Sequence, residues 1–447
     1  MTNDTGVEHH PQNIPDEIGY DRIRDAFRSK SEIAYQGAVQ RLDNKRTHLK
    51  QNPKPADNAA VPEFKRMPPA VWIGPSALTN PCPVTDMEQL SNRLSKVFSD
   101  YPELFNHCVK VYQKRVDYYR LTSEGQKILQ PDTAFHITAR ASIKTDGNEV
   151  KTEYYRLHVG GINDLPSEDA LIGELHQFAQ YMRQKSRAKA VEDLYIGPVL
   201  YEDDAAMELL ARKIADHSHS YWISIRNQSD RKHRYLGKQV FPPALSVCQL
   251  GSDSVYNGVK LLGYRQMDAD GTKPMTLLII EKGILKHMLT GRTPSLGCPA
   301  STGNEHFDGL SRSLETRYIA GVFHVTSNRP VPYSKLYKRF LKAAKKAGLE
   351  HTYIIRKNRT SPYALIRVDL STGKEELVEG NYNAPSREQF KRMHAISKEE
   401  NVYNLDPAGG KGLGIISPKA ILLEDMELDI TPSRARHIDE AFYELRH

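Results

Sequence analysis

The chain has 447 residues, 39% hydrophobic and 26% charged, with a formal net charge of +7. This length leaves room for about two or three domains with cores of their own, and the composition excludes disordered and small disulfide-stapled classes. No run reaches the roughly 18 apolar residues of a membrane helix, and so modest a positive excess is weak beside that of a dedicated nucleic-acid binder.

In chain order, Ile23, Phe27, Ile33, Ala38 and Leu42 recur among charges at helical spacing, predicting one or two amphipathic helices over 15–50. The stretch QNPKPADNAAVPEFKRMPPA then reads as a linker or extended strap, because its prolines forbid regular structure. A helix returns at 86–98, with Met87, Leu90, Leu94 and Phe98 on one stripe. Two β-hairpins follow, CVKVYQKRVDYYRLTSEGQKIL and AFHITARASIKTDGNEVKTEYYRLHV, each alternating around its own turn signal. Ser167 is placed to cap a helix that buries Leu171, Leu175, Phe178 and Met182. The strand LYIGPVLY leads into a further helix, Asp203 to Asp216, and strands then dominate. Ser334 is read as the cap of a basic helix ending at Gly348, and PKAILLEDMELDI alternates as a last strand.

The predicted architecture is α+β, with a helix-and-hairpin N-terminal half and an antiparallel C-terminal half curved into a sheet or barrel-like sandwich. Three segments are expected: helical and Pro-rich over 1–85, α/β over 86–200, and mostly β over 201–447.

Candidate chemistry is sparse. Cys298 and His306 stand close enough across a turn for a thiol and its base, but no cysteine-hydrolase signature surrounds them. His217 and His219, with His233 further on, could bind metal from one face of a strand, yet no Glu beside them offers a general base. Asp268, Asp270 and Gly271 read as a turn, since Ile279 stands where a calcium loop needs its bidentate Glu. In GGKGLG the residue after Lys411 is Gly412, where a phosphate loop needs Ser or Thr. The helix carrying Lys335, Lys338, Arg339, Lys342, Lys345 and Lys346 could track phosphates, and is read as a solvated face instead.

The order GPVLYEDDAAMELL, LGKQVFPPALSV, then MDADGTKPMTLLIIEKGILKHMLTGRTPSLGCPASTGN resembles the TldD/PmbA family, also called TldD/TldE and historically modulator of DNA gyrase. The resemblance runs from about Tyr118 to Leu428. It implies one branch of zinc metallopeptidases, with H-E-x-x-x-H on the helix after the GPV strand and a third ligand, cysteine, in a glycine-rich loop, and a second branch without that motif. Here the helix reads LLARKIAD over Leu209–Asp216, and the loop from Asn401 to Gly414 has no cysteine.

The resemblance therefore implies the metal-free branch: no cofactor, and a peptide-binding subunit associated with proteolysis. Ser301, Thr302, Gly303 and Asn304 would shape a groove for extended peptide. The partner would be a second copy or a zinc-bearing TldD-like subunit. The alternatives are an active peptidase with a rebuilt zinc or cysteine site, and a nucleic-acid-binding protein. Met1 to Asp16 lacks the pattern of a secretory leader, so a cytoplasmic location is expected, with an exported mature form as the alternative suggested by longer relatives.

Overall fold

A computed structural model of the chain describes residues 19–52, 66–145, 149–218, 235–251, 253–268, 270–292, 300–307, 316–318, 321–405 and 412–430. The N-terminal helical pattern forms one element, α1 (Tyr20–Gln51). After β1 (Val71–Ile73) and α2 (Val84–Ser95), the two expected hairpins merge into one meander of β2 (Phe105–Leu121), β3 (Lys127–Lys144) and β4 (Val150–Val159). Strand β3 is common to both, pairing antiparallel with β2 and with β4, while β1 adds parallel to its start. Its Phe135, Ile137, Ala139 and Ala141 are fully buried at every second position, as an inner strand with one face in a core requires. Helix α3 (Glu168–Ser186) covers that face with Leu171, Leu175, Phe178 and Met182, and Ser167 caps it, accepting the Ala170 N–H at 3.3 Å.

Downstream come β5 (Lys189–Ala190), β6 (Asp193–Asp203), α4 (Asp204–Ser218), β7 (Leu245–Gln249), β8 (Val255–Tyr256), β9 (Val259–Lys260), β10 (Leu277–Glu281) and β11 (Ile284–Leu285). They are followed by β12 (Glu305–Phe307), β13 (Thr316–Tyr318), β14 (Val322–Ser327), α5 (Tyr333–Lys346), β15 (His351–Lys357), β16 (Ala364–Asp369) and β17 (Glu375–Glu379). The last elements are α6 (Arg387–Lys391), β18 (Met393–Ile396), β19 (Glu400–Leu405), β20 (Leu413–Pro418) and β21 (Ala420–Ile430).

These strands build a seven-stranded sheet, β18-β21-β6-β15-β16-β17-β5, and a six-stranded sheet, β11-β10-β7-β14-β20-β19. Both remain open, so no closed barrel forms among the described residues; β6–β15 and β14–β20 are parallel pairs within otherwise largely antiparallel sheets. The seven-stranded sheet is buried on both faces. On one, Val199, Tyr201, Ile355 and Leu423 pack with Val247, Ile280 and Val325 of the six-stranded sheet, around α4. On the other, Leu200, Ile354, Ile366 and Leu422 meet α3, α5 and the meander. Each such aliphatic side chain contributes roughly 1.5–3 kcal/mol on leaving water.

Helix α5 buries Leu336, Phe340 and Ala344 and leaves its six basic side chains exposed. It starts at Tyr333 after Pro332, so Ser334 is not its cap. The Tyr333 N–H is taken instead by the Glu399 carboxylate at 2.8 Å, a distant partner in sequence. No described helix is long and apolar enough to cross a membrane.

Candidate functional site

Of the sequence candidates, Cys298, His219 and His233 lie outside the described residues. His306 falls on β12 and His217 on the last turn of α4, and the side chains of both lie outside the description as well. Ser301–Asn304 is described, and it is woven into the protein interior. The Asn304 side chain, fully buried, donates to Gln249 Oε1 at 2.6 Å and accepts from Gln249 Nε2 at 3.1 Å. Thr302 Oγ1 accepts the Thr290 N–H at 2.8 Å, and Ser301 Oγ accepts the Gly303 N–H at 3.2 Å. Gly303 has φ +74°, and a Cβ there would lie 2.5 Å from the Lys273 carbonyl oxygen. The acidic turn is tied to the same knot: Asp268 accepts the backbone N–H groups of Asp270, Thr272 and Glu305 at 2.9, 2.8 and 3.1 Å. Burial, with Asp270 beside it, pushes the Asp268 carboxyl up to about 7.

The larger concave feature lies elsewhere, where β6 runs into α4 with no intervening loop. It is a cavity of about 530 Å³, within the range of ligand sites. Its walls come from β4, with Arg156 and His158, and from β19, with Asn401, Tyr403 and Leu405. Both are edge strands: among the described residues β4 pairs only with β3, and β19 only with β20. Two strand edges therefore border one cleft, each without a second strand partner among the described residues.

Acidic residues from the β6–α4 junction line this cleft. Asp203, the last residue of β6, is held in the left-handed region at φ +55°, which aspartate tolerates better than most side chains but at a cost. Its N–H donates to the Lys419 carbonyl at 2.8 Å, and its carboxylate accepts from Asn401 Nδ2 at 3.1 Å and Asn358 Nδ2 at 3.4 Å. That backbone turn delivers Asp204 to the first position of α4. Burial raises the Asp204 carboxyl to about 7, with Glu208 and Asp203 adding to the rise and Lys357 and Arg359 opposing it. A carboxyl at neutrality on the proton-binding border, beside a strained backbone and inside a cleft, is a functional-site signature.

The surrounding groups are largely committed to one another. Glu208 pairs with Lys357, whose ammonium also lies 5.6 Å from the centre of the Tyr363 ring. Arg359 donates to Glu174 at 2.6 Å. His158 Nδ1 stands 2.7 Å from His136 Nδ1, and the His136 ring stacks on Tyr112 at 4.5 Å. The Tyr403 hydroxyl accepts from Asn401 Nδ2 at 3.1 Å, and burial holds its proton well above the usual phenol range.

A zinc centre does not fit this donor set. In the part of α4 where the resemblance calls for histidines and glutamate, Leu209, Leu210 and Ile214 are buried in the core. Among the described residues no three His, Cys, Asp or Glu side chains converge as a metal-binding group. Zinc needs three or four such donors at about 2.0–2.3 Å. Sequence reasoning did not single out Asp203, Asp204, His158 or Tyr403. The one local signal was an Asp-Asp pair closing an apolar strand ahead of a helix; the other walls of the cleft are remote in the chain.

Residues 196–324 match the family model described as PmbA/TldA metallopeptidase C-terminal domain. The fold is shared with several solved structures. A protein described as a modulator of DNA gyrase from Bacteroides thetaiotaomicron is 14% identical, with a TM-score of 0.56, over 78% of this chain and 72% of that one. A second, from Thermotoga maritima, is 13% identical with a TM-score of 0.55, covering 82% and 78%. TldE from Thermococcus kodakarensis is 12% identical with a TM-score of 0.52, covering 85% and 81%. No curated protein matches the chain.

Proposed function

Starting from a chain that resembles the TldD/PmbA family in its fold and carries that family's C-terminal domain over 196–324, we propose that it is a peptide-binding subunit that works without a metal of its own. It holds an extended segment of polypeptide in the cleft between β4 and β19. The observation that carries this reading is the convergence, on one cavity of about 530 Å³, of two strand edges that have no second strand partner among the described residues. A peptide laid along either edge would extend a sheet, and main-chain hydrogen bonds would hold it with little regard for sequence. The charges lining the cleft, Arg156, Lys357 and Arg359 against Asp203, Asp204 and Glu208, are of both signs, which suits the uncharged, dipolar backbone of a peptide better than a polyanion.

Hydrolysis, on this reading, belongs to a zinc-bearing partner subunit, and this chain presents the substrate. Asp204 would meet the peptide as a neutral hydrogen-bond donor at moderately acid pH and as an acceptor above neutrality.

The test uses the purified chain and a blocked, extended hexapeptide. Binding followed by fluorescence anisotropy should be unchanged by a chelator. N-methylation of alternate peptide nitrogens, which removes strand-pairing donors, should weaken it by about ten-fold or more, the loss of one or two hydrogen bonds. Equal affinity for the methylated and unmethylated peptides, or loss of binding on chelation, would count against the proposal.

A further inference from the structure

A second cavity, of about 240 Å³, opens along the neighbouring face of α4. Glu208 and Lys357 line both this cavity and the cleft, so the two adjoin. Its charge is one-sided where that of the cleft is mixed. Among the described residues, Arg212, Lys213, Arg356 and Lys357 line it against a single acid, Glu208, and the rest of the lining, Leu209 and Ile355 included, is uncharged. A concave wall of low dielectric carrying one sign of charge focuses the potential and concentrates counter-ions. The volume is below that of sites for drug-sized ligands, on the scale of one terminal residue rather than a longer segment.

The cations are not equally committed. Arg356 Nε donates to Glu202 at 2.6 Å, and Lys357 pairs with Glu208. Arg212 comes from α4, one turn after Glu208, and is exposed. With that carboxylate taken by Lys357 of β15, no acid pairs with Arg212 among the described residues. An arginine on an open surface is ordinary. This one stands at a cavity whose lining acid is already engaged, and its guanidinium presents a planar fork of donors that matches a carboxylate two bonds at a time. The Glu208–Lys357 pair at the junction is held loosely, since its side chains are 50% and 29% exposed and solvent screens it.

We propose that this cavity receives the C-terminal carboxylate of the polypeptide held in the cleft, so that the chain recognises the end of its substrate as well as its backbone. The inference rests on the peptide-binding reading above and names the part of the peptide that reading leaves open. The last residue of a peptide lying along the cleft would pass the Glu208–Lys357 junction. Its carboxylate would meet Arg212 in two parallel hydrogen bonds and compete with Glu208 for the Lys357 ammonium. Leu209 and Ile355 would take its side chain with little regard for which residue it is. Every polypeptide end carries this anion, so the pocket keeps the sequence tolerance of main-chain pairing and adds selection for ends over internal segments.

The experiment measures affinities of the purified chain for three N-acetylated hexapeptides: a C-terminal acid, the C-terminal amide of the same sequence, and an amide with Glu at one central position. The acid should bind about ten-fold tighter than the plain amide, the gain of hydrogen bonds to a charged group. Arg212→Gln removes an exposed charge and keeps helix propensity. In that variant the plain amide should bind as it does to the parent, and the acid should fall to within about two-fold of it. Arg212→Lys, which keeps the charge and loses the planar fork, should lie between the two. Equal affinity for acid and amide in the parent, or an advantage that survives Arg212→Gln, would overturn the pocket and leave the cleft reading intact. If the Glu-bearing amide gains the same Arg212-dependent advantage as the acid, recognition of the end is overturned and the carboxylate belongs to a side chain. Failure of all three peptides to bind would overturn both readings.

Discussion

Gly263→Ala is expected to abolish the folded state or to cost more than about 4 kcal/mol, the range reserved for gross steric conflict. A Cβ at this position would sit 1.5 Å from the Gly321 carbonyl oxygen and 2.5 Å from the Gly414 nitrogen. Those are backbone atoms of the β14–β20 region, and the Gly414 N–H is itself bonded to the Gly321 carbonyl at 2.9 Å. Nothing there is the far end of a flexible side chain that could swing away, so the sheet must part. The consequence reaches the cleft, because the adjoining Leu262 N–H and Lys260 carbonyl are tied to the Asn404 amide of β19 at 3.0 and 2.6 Å. The same substitution at Gly173, inside α3 with open space around it, should instead stabilise by about 0.5–1 kcal/mol. Urea unfolding of the two variants beside the parent measures both effects, and similar midpoints for both would contradict the close approach at Gly263.

Asp204→Asn is expected to stabilise the protein, and to do so only above acid pH. The carboxyl binds its proton at about 7 in the folded state against an ordinary 3.8. Between those values the native state holds more protons than the unfolded chain, so stability falls as pH rises through this window and is level above it. Asparagine removes that slope. At about 1.4 kcal/mol per pKa unit, the ceiling on the gain at pH 8 is roughly 4 kcal/mol, and the difference should vanish near pH 4. Asp268, raised by burial in the same direction, contributes equally to parent and variant and cancels in the comparison. Asparagine also serves at a helix N-terminus, so α4 loses little there. Melting temperatures of parent and variant from pH 4 to pH 8 give the result directly; a constant difference across that range would contradict the assignment. A buried acid that costs stability at neutral pH is the pattern expected of a residue kept for function.

Much of the fold is written in local periodicity. Helix α3 could be placed from Ser167 and its four buried apolar positions, and the apolar stripe of α5 from Leu336, Phe340 and Ala344, because a single helix face decides those patterns. Pairing is where local signals stop. No local periodicity says that one strand, β3, serves both β2 and β4, and the parallel pairing of β6 with β15 joins segments about 150 residues apart. The cap of α5 failed for the same reason: Ser334 had the right chemistry, and Glu399 had the position.

The cleft is a product of these long-range contacts. Asp203 and Asp204 stand side by side in the sequence, but the partners that give them meaning, Asn358, Lys357, Asn401 and Tyr403, arrive from β15, the loop after it and β19. The Ser301–Asn304 motif drew attention by its small polar residues, which equally suit the tight, internally bonded knot around Asn304 and Gln249.

The cleft reading is tested most directly by hydrogen–deuterium exchange of the chain with and without a saturating extended peptide, in the presence of a chelator. Slower exchange is expected at the outward-facing amides of residues 154–159 and 401–405, with the Ser301–Asn304 knot unchanged. Protection that appears only when zinc is supplied, or that falls away from both edge strands, would contradict it.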